Sequence, residues 1–107
     1  MKQSTHSNLP RFWADLKSPD FARLDLTRSI AVLPVAAIEQ HGPHLPLSVD
    51  TDLVNGVIAA ALPHLPEALP VLFLPTQSVG LSPEHARFAG TLTLKAENVI
   101  HHWTELA

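Results

Sequence analysis

Two short apolar runs, Ile30-Ala31-Val32-Leu33-Pro34-Val35 and Val71-Leu72-Phe73-Leu74, stand on either side of one stretch of helical spacing. That order constrains the fold more than any other feature of the chain. Runs this short and rich in β-branched residues read as buried strands of a parallel sheet. Between them, Leu53, Val57 and Ala61 share one stripe and Val54, Ile58 and Leu62 the adjacent one, which predicts a helix from about Asp52 to Leu62. Asp50 or Thr51 reads as its N-cap and Pro63 as its end. Strand, helix, strand in this order makes a right-handed βαβ unit. Pro63, Pro66 and Pro70 stiffen the return, with His64 exposed among them. A last helical face (Ala96, Val99, Ile100, Trp103 and Leu106/Ala107) extends the pattern to βαβα. Ahead of the first strand, residues 11–16 allow a helical turn. Ser18-Pro19 caps a short helix through about Arg23, and Trp13 and Phe21 read as core or subunit-contact residues.

Open α/β sheets put their ligand sites beyond the carboxyl ends of the strands. Directly after the first run comes Ile38-Glu39-Gln40-His41-Gly42-Pro43-His44-Leu45-Pro46-Leu47-Ser48-Val49-Asp50-Thr51-Asp52, the most polar stretch in an apolar chain. Glu39 and His41 are two apart, so in extended backbone they leave the same face. Gly42-Pro43 breaks the strand and lets the chain turn back, which brings Asp50 within reach. Carboxylate and imidazole without thiolate suit Zn²⁺, Mn²⁺ or Fe²⁺. Because a carboxylate can bridge, a pair of ions about 3.5–4 Å apart is a further option. The competing reading is structural: polar residues after a strand often cap helices and meet solvent. Asp50 is contested between cap and ligand, whereas Asp52, nearer the helix interior, reads as structural. After the second strand, residues 75–90 form a long loop over the same crevice, with Ser82, Glu84 and His85 as its chemical residues. Ser82 before Pro83 also reads as the cap of a helical turn.

The stretch from Leu33 to Asp52 closely resembles the creatininase (creatinine amidohydrolase) family, whose pattern runs Glu-Gln-His-Gly-x-His-Leu-Pro and then Asp-Thr. The segment Gly80-Leu81-Ser82-Pro83-Glu84-His85-Ala86-Arg87-Phe88-Ala89-Gly90-Thr91 is similar to that family's second signature. Ala36 and Ala89 replace a glycine and a proline of the two patterns. The resemblance implies a three-layer α/β/α fold with a mostly parallel sheet, of which this chain is an incomplete βαβα piece. It also implies two divalent metals per site (Zn²⁺, Mn²⁺ or Fe²⁺). Glu39 would be a terminal ligand of one ion, His41 a terminal ligand of the other, and Asp50 the bridging carboxylate. Ser82 and His85 would contact substrate, and His44 and Glu84 would orient the ligands from behind. The implied reaction is metal-assisted hydrolysis of a small-molecule cyclic amide or related C–N bond. Deformylation of opened pyrimidine rings and trimming of a modified peptide also occur in the family. A homohexamer is implied for the full-length form.

The bulk properties fit one small globular domain: 107 residues, 46% hydrophobic and 16% charged. A net charge of −3 leaves no basic footprint, which argues against nucleic acid as a partner. No run approaches ~18 apolar residues, which argues against a membrane span. The absence of cysteine is compatible with a cytoplasmic location. Residues 1–10 read as a flexible tail and 11–107 as the N-terminal part of an α/β domain. The last helical face ends without a stop signal, as though cut inside a helix. On that expectation the isolated chain holds part of a site and is inactive. Two other classes stay open: a non-catalytic fragment that binds through an open sheet edge, and a plain structural module.

Overall fold

A computed structural model describes residues 9–107. The flexible tail expected over residues 1–10 falls, as far as residue 8, outside the described residues. The main elements are strand β1 (Ile30–Val32), helix α1 (Val49–Ala61), strand β2 (Val71–Phe73) and helix α2 (Ala96–Leu106). Four 3₁₀ turns, at Trp13–Asp15, Ser18–Arg23, Leu62–His64 and Pro83–His85, punctuate them. The strands pair in parallel, with Ile30 opposite Val71, Ala31 opposite Leu72 and Val32 opposite Phe73. The expected β-α-β-α order is the order observed.

Both strands stop sooner than their apolar runs suggest, at Val32 and Phe73 instead of Val35 and Leu74. The reason is local. Pro34 and Pro75 each lack the N–H that a ladder needs. Pairing resumes past them: Gln77 N–H donates to the Pro34 carbonyl at 2.9 Å, and Ala36 N–H donates to the Gln77 carbonyl at 2.9 Å. The two carboxyl ends therefore stay together as they leave the sheet, which brings the two polar segments to one place.

β2 is buried on both of its faces. Leu72 is fully buried, and Val71 and Phe73 pack with Ile58 of α1, flanked by Val32, Leu62, Leu65 and Leu69. Phe12 completes the other edge of β2 through a parallel bridge to Phe73, with the two rings 5.8 Å apart. The Arg11 guanidinium donates to the carbonyls of Pro66, Leu69 and Val71, tying the proline-rich connector to the entry segment. Trp13 and Phe21 stack on each other with centroids 4.8 Å apart.

Several expectations need correction. β1 is not buried: Ile30 is 49% exposed, because β1 is paired along one edge only among the described residues. Of the two apolar stripes on α1, only the Val54–Ile58–Leu62 stripe meets the core, and Leu53 and Val57 are exposed. On α2, Val99 is buried and Trp103 half-buried, while Ile100 and Leu106 face outward. α1 also begins at Val49, with Ser48 at the N-cap position, so neither Asp50 nor Thr51 is the cap. Ser18 lies inside its turn, and Lys17 takes the cap position there. Among the described residues no helix is long and apolar enough to cross a membrane.

Candidate metal centre

The site is built by one turn and one helix start. After Ile38 the extended chain delivers Glu39 and His41, then reverses over residues 42–44, with His41 bridging Leu45 in antiparallel fashion. Gly42 makes the reversal possible. Its φ of +78° lies where residues with a Cβ are disfavoured. The returning chain enters α1, and Asp50 sits in the first turn, where a carboxylate is favoured by the positive end of the helix. The cap position is taken by Ser48, whose hydroxyl donates to the Asp52 carboxylate at 2.8 Å. Asp50 is thereby left to face His41, and Asp52 is engaged within the helix start.

One ligand-capable atom each from Glu39, His41 and Asp50 lie within 4.8 Å of one another. The His41 ring is oriented by its own neighbour: Nδ1–H donates to the Glu39 backbone carbonyl at 2.8 Å. A carbonyl only accepts, so in the neutral ring Nδ1 carries the proton and Nε2 presents a lone pair. Nε2 points at the Asp50 carboxylate, 3.4 Å away. The His41 pKa is raised, chiefly by the bond to the Glu39 carbonyl and further by the Asp50 and Glu39 charges, with desolvation opposing. The Glu39 side chain is 15% exposed, less than those of His41 and Asp50. The donor set of two carboxylates and an imidazole nitrogen fits a borderline or hard divalent cation.

The second polar segment joins from the other side. Leu92 N–H donates to the Ile38 carbonyl at 2.8 Å, and Gln40 N–H donates to the Thr91 hydroxyl at 3.1 Å. Gly90, at φ +89°, packs against Leu47 so closely that a Cβ would lie 2.7 Å from Leu47 Cδ1. This docking brings His85 Nε2 to 3.9 Å from both the Glu39 and the Glu84 carboxylates. Glu39, Glu84 and His85 thus form a second convergent group that shares Glu39 with the first.

Other expected site residues are placed differently. Ser82 is fully buried and its hydroxyl has no hydrogen-bond partner among the described residues, so it does not line an open wall. It holds the cap position of the Pro83–His85 turn without a side-chain capping bond. His44 is exposed and forms no hydrogen bond or ion pair with the described residues. Sequence reasoning passed over Gln40. Its side chain bonds both His85 and the backbone of Gly42. Strand alternation sends it to the face opposite the two ligand candidates, but spacing alone does not bring His85 beside it.

Comparison with known proteins shows which family the chain resembles. The family profile described as creatinine amidohydrolase matches residues 14–107. A mycofactocin precursor peptide peptidase of Mycobacterium tuberculosis (strain CDC 1551 / Oshkosh) is 37% identical over 103 residues, covering 91% of this chain and 41% of that protein. The protein of the same name from Mycobacterium ulcerans (strain Agy99) is 33% identical over 102 residues, covering 91% and 40%. The chain therefore spans about two fifths of the length of these relatives. Among solved structures, a tryptophan-to-alanine mutant of creatininase superposes with a TM-score of 0.74 at 24% identity, over 90% of this chain and 38% of its own. A glutamate-to-glutamine mutant creatininase of Zn-Zn type gives 0.73 at 23% identity, over 98% and 39%. At these identities the likeness to solved structures is one of fold.

Proposed function

The chain belongs to the creatininase family, and from that premise we propose that it supplies one part of a two-ion centre in a hydrolase that cleaves an amide C–N bond of a peptide. The observation that carries the proposal is the convergence of Glu39, His41 and Asp50, with His41 Nδ1 taken by the backbone and Nε2 turned towards the Asp50 carboxylate. Glu39 and His41 would each hold an ion, and Asp50, with two carboxylate oxygens, would bridge. Bound divalent ions supply Lewis acidity and lower the pKa of water towards about 7. The chain's own part is to fix these donors on a rigid turn and helix start. Three ligands fall short of filling two coordination spheres, so the remaining donors would come from outside these 107 residues. A peptide is preferred over a cyclic amide because the relatives above 30% identity are named for a peptide. The creatininase structures support the fold only. Exposed Leu53, Val57 and Ile100 leave apolar area to be covered in a homo-oligomer.

The test is metal analysis of the whole protein after dialysis, joined to an assay for new amines from linear peptides and from cyclic amides. We expect about two divalent ions per site, lost in His41→Ala, and peptide cleavage abolished by a chelator and restored by Zn²⁺ or Mn²⁺. Dialysed protein free of metal, or full metal content in His41→Ala, would overturn the proposal. Cleavage of cyclic amides alone would overturn the substrate class and leave the centre intact.

A further inference from the structure

The two histidines beside Glu39 are held in opposite tautomers, and this assigns them different work. We propose that His85 is a positioning residue, fixed by Gln40 as an Nε2–H donor facing the Glu39 carboxylate, and that it is not a metal ligand. The inference rests on the metal-centre reading of Glu39, His41 and Asp50.

The chain of donors starts at a group whose role is fixed. The Gly42 backbone N–H only donates, and it lies 3.0 Å from Gln40 Oε1. That makes the other end of the Gln40 amide the NH₂ group, which lies 2.9 Å from His85 Nδ1. An NH₂ group only donates, so Nδ1 of the neutral ring accepts and the ring proton is on Nε2. Nε2–H then faces the Glu39 and Glu84 carboxylates, each 3.9 Å away. A nitrogen that carries a proton has no lone pair for a cation. His41 is the reverse case: its Nδ1–H is on a carbonyl, so in the neutral ring Nε2 carries the lone pair, turned towards Asp50.

Geometry alone therefore offers two three-residue groups around Glu39, and proton placement separates them. Glu39, His41 and Asp50 form the ligand set. Glu84 and His85 stand behind it, with the His85 Nε2–H facing the Glu39 carboxylate across 3.9 Å, longer than a hydrogen bond, where its positive end biases the carboxylate's orientation. Outer partners of this kind orient ligating carboxylates and are worth about 10–100-fold in metal affinity. Gln40 is anchored for the task at both levels, its backbone N–H on Thr91 Oγ1 and its side chain on Gly42 and His85.

The experiment is ¹⁵N NMR of the histidine rings in the whole protein at about pH 8, above the usual imidazole range near 6.5. Spectra are recorded metal-free and loaded with ¹¹³Cd²⁺. We expect His85 in the Nε2–H form in both states, and ¹¹³Cd coupling to His41 Nε2 with none to His85. In Gln40→Met the His85 tautomer preference should be lost and cadmium affinity should fall about tenfold, while the backbone spectrum shows the fold retained. The Nδ1–H form in wild type, coupling to His85, or an unchanged tautomer in Gln40→Met would each overturn the proposal. If His41 shows no coupling, the metal reading fails. The metal-free tautomer of His85 still decides the Gln40 relay in that case.

Discussion

At the scale of single residues, the site depends on where protons sit. His41 has its pKa raised, chiefly by the hydrogen bond to the Glu39 carbonyl. Its folded value lies above the ordinary 6.5, so in metal-free protein its contribution to stability is fully present below about pH 6.5 and is lost as pH rises through the raised value. A cation needs the same nitrogen bare, so affinity runs the other way and falls as pH drops through that value. Zinc titrations between about pH 8 and pH 6 should therefore show affinity falling already above the ordinary imidazole midpoint. A loss beginning only well below it would contradict the His41 geometry. Gly42 is the second single-residue test. At φ +78° an alanine is strained by about 1–2 kcal/mol. Gly42→Ala should lower stability by about that amount in a denaturant titration, and should weaken metal binding because the turn aims both Gln40 and His41.

Elements follow the same logic at longer range. α1 carries two apolar stripes that are indistinguishable by composition, and the structure buries one. Ile58→Ala should cost about 2–4 kcal/mol, since it empties space against Val71 and Phe73. Val57→Ala, on a side chain 67% exposed, should cost less than about 0.5 kcal/mol in the monomer. Equal losses in thermal or urea unfolding would place the wrong stripe inward. The loop that carries the second motif is pinned at Gly80, where a Cβ would lie 2.8 Å from the Ala36 carbonyl oxygen. Gly80→Ala should therefore move two backbone segments and cost about 1–3 kcal/mol.

For the whole molecule, the sequence made legible what depends on periodicity and chain breaks. The parallel β-α-β-α order, the reversal at Gly42-Pro43 and the convergence of Glu39 with His41 and Asp50 could all be argued from spacing. Burial of β1 could not, because it depends on neighbours along both edges and not on the run Ile30–Val35 itself. Nor could the role of Gln40, whose importance appears only once His85, forty-five positions away in the chain, is set beside it. Nor could the exposure of His44, because a motif position does not by itself report which way a turn residue points. The exposed faces of α1 and α2 are where the proposed homo-oligomer is tested. Leu53→Lys with Val57→Lys should shift the whole protein towards smaller species in sedimentation while leaving its far-UV CD unchanged. The central claim remains that three groups on one turn and one helix start hold a cation. Anomalous diffraction from crystals of the zinc-loaded protein tests it most directly. A peak at about 2.0–2.2 Å from His41 Nε2 and from carboxylate oxygens of Glu39 and Asp50 is the result expected; zinc bound elsewhere, with these three side chains free of it, would contradict the account.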